Sequence, residues 1–243
     1  KLAVFIPLIG GQVAIGIAVA RFLHFNLAEA PQAFVAPLVV TISFTLIAFV
    51  FDDFTRFTVH RWMHQSSFLW QFHRIHHSAT TLTPITVFRT HPMESLINYC
   101  RSSISLGVVS GLFIWAFGRH LQVWDILGVN ALGFLFSLLG SNLRHSHIPL
   151  HFGLLERWLV SPAQHQLHHS IDHGHCNLGS FLSVWDRMSG SHLSGAQAVS
   201  LRFGLSSTGT EDRSSRLPAR PRNALKPYSL PEDFITGTNC QIS

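Results

Sequence analysis

The run LVVTISFTLIAFVF, residues 38–51, holds no charged side chain, and its flanks extend the uncharged stretch back to residue 33. A segment of this length matches the ~20 residues that carry a helix across ~30 Å of hydrocarbon. Inside hydrocarbon the backbone amides have no water to bond, so a stretch like this must satisfy them internally, as a helix does. Three further apolar stretches, at roughly 2–20, 96–118 and 121–140, have comparable length. The third carries Arg101 and the fourth Asp125, charges that are expensive in a bilayer, so a re-entrant or broken hairpin is the alternative for that pair. The fold expected is all-α, a multi-pass membrane bundle of about four spans.

Composition agrees with this reading: 47% of the 243 residues are hydrophobic, 12% are charged, and the mean hydropathy is +0.27. The first stretch has no small-residue cleavage site and is read as a span rather than a signal peptide. A net charge of +5 comes from arginines gathered on particular segments, without interleaved aromatics or a recognition motif, so nucleic acid is not an expected partner. Cys100, Cys176 and Cys240 form no C-x-x-C pair and no even-numbered framework, which argues against a disulfide scaffold or a thiolate zinc site. From about residue 205 the chain turns rich in Ser, Pro and Arg and loses helical periodicity, the signature of a poorly ordered tail over 206–243. The domain plan is a first transmembrane hairpin over 1–51, a catalytic domain over 52–205 that includes a second hairpin at about 96–140, and the tail.

Histidine supplies the chemistry. There are 17, and H-x-x-H-H occurs twice, at 73–77 and 165–169, where chance would give it roughly 0.08 times. On a helix, positions i, i+3 and i+4 share a face, so His73, His76 and His77 point toward one place, as do His165, His168 and His169. His60 and His64 are an i, i+4 pair, the spacing by which one helix offers two imidazoles to a metal ion. RHSHIPLH adds His145, His147 and His151, and Pro149 interrupts any helix there, so which of the three converge is left open. Eight imidazoles in the firm groups exceed one four-coordinate site, and two ions fit the number better. Asp53, Asp172 and Asn177 are candidates to steady the ligands through their other ring nitrogen. No E-x-x-H is present, so the site is nearly all nitrogen, and zinc is not excluded as the metal. His24, His120 and His192 read as surface residues; His91, His173 and His175 are intermediate. Trp62, Trp70 and Trp185 are read as interfacial anchors.

Two crossings between the histidines at 60–91 and those at 145–169 return the chain to the side it left. Arg56, Arg61, Arg74 and Arg89 lie in the first of these segments and Arg144 and Arg157 in the second, whereas the opposite loops hold only Arg21 and Arg119. Basic loops face the cytoplasm, which places the histidine site there, at the endoplasmic reticulum of a eukaryote or the inner membrane of a bacterium.

These residues together resemble the fatty acid hydroxylase/sterol desaturase superfamily of membrane di-iron proteins. The likeness runs from DFTRFTVHRWMH (53–64) through LWQFHRIHHS (69–78) and FRTHPME (88–94) to SPAQHQLHHS (161–170), NLGS (177–180) and SVWDRMSG (183–190), most of residues 50–190. The resemblance implies a cytosolic helical cap with two iron ions over a membrane bundle, and O2-dependent hydroxylation or desaturation of a lipid. It implies as ligands His60, His64, His73, His76, His77, His165, His168 and His169, with His145 and then His147 from RHSH. His91 would support the site, and His151 falls where relatives vary. N-L-G stands where the family has N-Y-G or N-F-G, and the tail does not resemble it. No H-P-G-G of a fused cytochrome b5 domain and no nicotinamide fingerprint is present, so the resemblance calls for a separate electron donor of cytochrome b5, ferredoxin or reductase type.

The leading expectation is a lipid hydroxylase acting on an unactivated C–H bond; a desaturase on the same site is the alternative. A metal-binding or metal-transporting membrane protein would place its histidines within the spans, and here they flank them. A zinc hydrolase would need H-E-x-x-H, which is absent.

Overall fold

The computed structural model describes residues 2–27, 35–118 and 138–205. Most of the expected span over 121–140, together with Asp125, His120 and the tail from 206, lies outside them. The described chain is helical, without a strand; two isolated β-bridges, Leu159 with Leu182 and Ser170 with Phe203, are its extended pairings. In order, the helices are α1 (Leu2–Asn26), α2 (Pro37–Gln65), α3 (Ser67–His77), α4 (Pro92–Phe117), a short α5 over 138–144, α6 (Pro162–His169) and α7 (Val184–Ser189). Among the described residues α2 and α4 are long and apolar enough to cross a membrane.

The 29-residue α2 passes without a break over the expected boundary at 51/52. At 1.5 Å per residue it is ~43 Å long, so a helix crossing a ~30 Å hydrocarbon layer from Pro37 would have its last two or three turns beyond it. Those turns carry His60 and His64. Ser66 closes α2 and opens α3: its amide donates to the Trp62 carbonyl at 2.9 Å while its hydroxyl accepts from the Leu69 amide at 3.3 Å.

Two contacts bind the long helices. Val40, Phe44 and Ala48 of α2 pack on Val109 and Phe113 of α4, with the Phe44 and Phe113 rings edge to face at 5.3 Å. On the other side α4 meets α1 through glycines: a Cβ on Gly111 would stand 2.6 Å from the Gly16 carbonyl oxygen and from Val19 Cβ, and one on Gly107 2.7 Å from Ile15. Small residues that let backbones approach are what holds helices together where lipid removes the hydrophobic drive.

Arg101, the charge that made the third stretch an awkward span, is neutralised across the α2–α4 contact. Its guanidinium donates to Asp52 Oδ1 at 2.7 Å and to the Thr55 hydroxyl at 2.8 Å, and Asp52 also pairs with Arg56 at 2.9 Å. A buried arginine persists only when paired in this way.

Candidate metal centre

Nine histidines from α2, α3, α5's C-terminal end and α6 meet at one place. His60, His64, His73, His77 and His168 form one group, and His76, His145, His165 and His169 a second, each with its ligand-capable atoms within 4.8 Å of one another. The stacked rings of His77 and His169, 4.5 Å apart, join the two. All but His60 are buried, and His60 is half-buried.

Each H-x-x-H-H motif serves both groups, contrary to the expectation that its three imidazoles share one target. From α3, His73 and His77 face the first group and His76 the second; from α6, His165 and His169 face the second and His168 the first. The i, i+4 pair lies along one line of the helix surface, and the residue between those positions is rotated off it, enough to reach the neighbouring group.

Local signals hold these helices in place. The eight-residue α6 is buried along its whole length, starts at Ser161 with a capping box closed by Gln164, and has Pro162 in its first turn. Its base is fixed by Glu156, whose Oε1 accepts from the Ser161 hydroxyl at 2.6 Å. His192 Nε2 lies at the same place, 3.0 Å from Gln164 Nε2 and 3.1 Å from the Glu156 carbonyl oxygen, able to bond one of the two.

The second ring nitrogens decide the protonation pattern. His60 Nδ1 donates to the Leu178 carbonyl at 2.8 Å, His145 Nδ1 to the Ser141 carbonyl at 2.7 Å, His168 Nδ1 to the Cys176 carbonyl at 3.0 Å, and His73 Nδ1 to Glu94 Oε1 at 2.9 Å. Carbonyls and carboxylates only accept, so Nδ1 carries the proton and Nε2 of a neutral ring presents a lone pair. Yet Nε2 of His60 and His73, both with Nδ1 so committed, face each other at 3.0 Å, and Nε2 of His145 lies 3.1 Å from those of His76 and His165. Facing lone pairs at that separation repel unless a cation lies between them. Two nitrogens bound at right angles to one ion at ~2.1 Å stand ~3.0 Å apart, so the spacing fits metal ligation. His168 Nε2 is buried and makes no hydrogen bond, as a ligand atom would.

Burial keeps the rings neutral. It lowers the pKa of His145 to about 4, and takes those of His76, His77, His165, His168 and His169 well below 6.5, with repulsion from neighbouring imidazoles adding to the shift. A metal ion binds the neutral form, so the site is poised for one at neutral pH.

The supporting residues read from sequence divide. Asn177 is buried with a left-handed φ of 52°; its amide donates to the Gln164 carbonyl at 3.1 Å and its oxygen accepts from the Leu193 amide at 2.8 Å, so it braces α6 without touching a ring. The Asp53 carboxylate accepts from the amides of Phe181 and Leu182, both at 3.0 Å, and from Trp185 Nε1 at 2.9 Å. It therefore acts on the segment that follows Leu178 rather than on a histidine. His91 caps α4, accepting from the Met93 amide at 3.0 Å, and packs on Phe72. Asp172 is exposed and paired with Arg202 at 3.0 Å, and it belongs to neither group. His147 and His151 are exposed and join neither group: α5 ends at residue 144, and the bend through Ser146 turns the chain outward after His145. The His175 ring is 6.2 Å from that of His64 but is exposed and in neither group.

Glu94 is the residue that spacing rules missed. It lies in the first turn of α4, is buried, and holds His73 through Nδ1. Its only sequence signal is its place two residues after Pro92, where a His-Pro pair opens a helix. Asp186 is the other. Its carboxyl, raised to about 6 by burial, accepts from the amides of Leu178 and Gly179 at 2.7 and 2.8 Å and from the Ser191 hydroxyl at 2.6 Å. A Cβ on Gly179 would stand 2.7 Å from that carboxylate, which explains the glycine of N-L-G, and the same loop presents the Leu178 carbonyl to His60.

A family model described as fatty acid hydroxylase matches residues 45–191. Among curated proteins, the ornithine lipid hydroxylase of Rhizobium tropici is 29% identical over 147 residues, covering 60% of this chain and 40% of its own. A very-long-chain aldehyde decarbonylase of Oryza sativa is 25% identical over 179 residues, covering 72% and 64%. A Delta(7)-sterol 5(6)-desaturase of Gibberella zeae is 26% identical over 148 residues, covering 61% and 41%. The chain thus spans less than two thirds of the length of these relatives. No solved structure matches it.

Proposed function

The chain belongs to the fatty acid hydroxylase family, and from that premise we propose that it is a membrane-bound, di-iron, O2-dependent lipid hydroxylase. The observation that carries this reading is the pair of adjacent groups in which nine histidines converge, with neighbouring Nε2 atoms approaching to 3.0–3.2 Å and the Nδ1 protons of His60, His73, His145 and His168 committed elsewhere. His60, His64, His73, His77 and His168 would hold one ion, and His76, His145, His165 and His169 the other. Two irons in that setting supply the O2-activating redox chemistry that an unactivated C–H bond demands, because such a bond offers no acid, base or leaving group to protein side chains.

The chain's own residues do the rest. Burial of the rings excludes bulk water and keeps them neutral. Glu94 and the carbonyls of Leu178, Ser141 and Cys176 hold the Nδ1 protons of His73, His60, His145 and His168 and so fix which way those four rings face. The lipid class follows from the relatives, whose names include an ornithine lipid hydroxylase and a sterol desaturase. The latter favours desaturation as the second reading, since the same site can lose a second hydrogen from the substrate in place of oxygen insertion. Transport of metal is disfavoured by the closed, buried packing of the imidazoles.

In the same reading the chain makes about four spans, its site caps the bundle on the cytoplasmic side, and a separate protein donates electrons. Residues 1–51 form the first hairpin and 52–205 the catalytic unit, with α2 common to both. The test is metal analysis of purified protein combined with lipid profiling of cells with and without it. Iron together with an O2-dependent change in a lipid supports the proposal; His76→Ala or His168→Ala protein that keeps full turnover rejects it.

A further inference from the structure

The segment after His151 is more apolar on its surface than a soluble cap requires. Leu154, Leu155, Trp158 and Leu159 are exposed in sequence around the turn Gly153–Arg157, with Trp158 at 60%, and Met188 of α7 stands out beside them at 76%. Scattered exposed apolar residues are ordinary, but a contiguous cluster marks a contact surface.

The fold fixes the height of this cluster along α2. The Ser183 amide donates to the Trp158 carbonyl at 3.0 Å, Leu159 bridges to Leu182, and Arg187 Nη1 donates to the Arg157 carbonyl at 3.4 Å. The 181–185 segment is in turn held by Asp53, and the Trp185 ring packs on Phe54 at 5.1 Å. Phe54 is 17 residues into α2, ~26 Å from its start, where a ~30 Å hydrocarbon layer would be ending. Between the two elements runs a groove of about 510 Å³ lined only by Leu46, Ile47, Val50, Phe51, Phe54 and Trp185. The exposed side chains of the 154–159 turn therefore continue the apolar face of a span rather than forming an island in water.

Charge identifies what covers them. Arg157 and Arg187 are exposed and in no ion pair, while the one exposed carboxylate among the described residues, Asp172, is already paired with Arg202. Trp and Leu next to unpaired arginine, at the end of a span, is the composition of an element lying in the headgroup region of a bilayer with anionic lipids. We propose that residues 154–159 with Met188 are such an element: they immerse in the interface of an anionic membrane, with Arg157 and Arg187 at the phosphates. The metal centre is thereby pinned beside the bilayer, through α6 on one side and the Leu178 loop on the other. The inference rests on the membrane reading above.

The test uses full-length protein in lipid nanodiscs of phosphatidylcholine alone or mixed with phosphatidylglycerol. A nitroxide is attached at Leu155→Cys in a Cys100→Ser, Cys240→Ser background, and its collisions with O2 and with a water-soluble nickel chelate are compared. Labels at Leu46→Cys, on the exposed face of α2, and at Gln197→Cys serve as references. The Leu155 label is expected to meet O2 more than nickel in the anionic discs, and to become shallower in phosphatidylcholine alone or when Arg157→Gln and Arg187→Gln are added. Nickel access at 155 equal to that at 197, with the label at 46 still protected, overturns the inference and leaves the span intact, turning the patch toward a protein partner. Shielding of 155 from both reagents means protein covers it and also overturns it, as does immersion indifferent to lipid charge. Nickel access at 46 removes the membrane reading itself.

Discussion

Replacing Glu94 separates the metal-holding role of a carboxylate from its contribution to folding. Glu94 Oε1 accepts from His73 Nδ1 at 2.9 Å, both side chains are buried, and Glu94 Oε2 makes no hydrogen bond, so the carboxylate serves this one imidazole. Glu94→Ala leaves the ring free to turn and its N–H unsatisfied, a cost of about 1–3 kcal/mol. Glu94→Gln keeps an acceptor and removes the charge that makes the ring more basic. Loss of such a partner typically weakens metal binding ~10–100-fold, which is about 1.4–2.7 kcal/mol. We expect the glutamine variant near the lower figure and the alanine variant near the upper. The assay is chelator competition on purified protein, read as two binding steps. Only the step belonging to the group with His73 should weaken, because His73 is the one imidazole to which the Glu94 carboxylate bonds. Wild-type affinity in Glu94→Ala, or equal weakening of both steps, would refute the reasoning, and a purely structural role would lower the metal-free Tm without moving either step.

Acid should undo the metal-free protein. With folded pKa values below the unfolded 6.5, the buried imidazoles contribute stability that is complete above that pH and is lost as pH falls, for His145 between 6.5 and about 4, at about 1.4 kcal/mol per pH unit for each ring. Circular dichroism of metal-free protein should show a steep loss of helix below pH 6.5, and a flat profile to pH 5 would contradict the burial argument. Gly111→Ala forces a methyl against the Gly16 carbonyl and Val19, and should cost about 1–3 kcal/mol, seen as a lowered Tm; an unchanged Tm would mean that α1 does not lie there. Asp53→Ala strips three donors of their acceptor and loosens the segment following Leu178, so purified protein should have both a lower Tm and less bound metal, and a variant with normal metal content would sever that link.

Side-chain spacing carried the site further than it carried its support. The i, i+4 pairs His60/His64, His73/His77 and His165/His169 were legible because a helix fixes their relative direction, and the structure sends each pair to one group. The third member of each H-x-x-H-H went to the other group, which depends on how α3 and α6 face each other and has no local signal. His145 and His147 look equivalent in RHSH; the end of α5 and the bend after it separate them. Asp172 looked like a partner for the rings beside it, but Arg202, thirty residues on, takes its charge at the surface. Glu94 was overlooked because its link to His73 spans two helices. The apolar run at 38–51 lies in a helix long and apolar enough to cross a membrane, yet α2 continues to Gln65, since the hydropathy drop at Asp52 changes the surroundings of a helix and not its backbone.

The central claim is that imidazoles from α2, α3, α6 and the end of α5 enclose two cations. X-ray absorption at the iron edge, with iron quantified per chain on the same purified sample, tests it most directly. Two irons per chain, each with a nitrogen-dominated shell and the outer scattering of imidazole rings, is the expected result. A single iron per chain, or a shell dominated by carboxylate oxygen or sulfur, would contradict it.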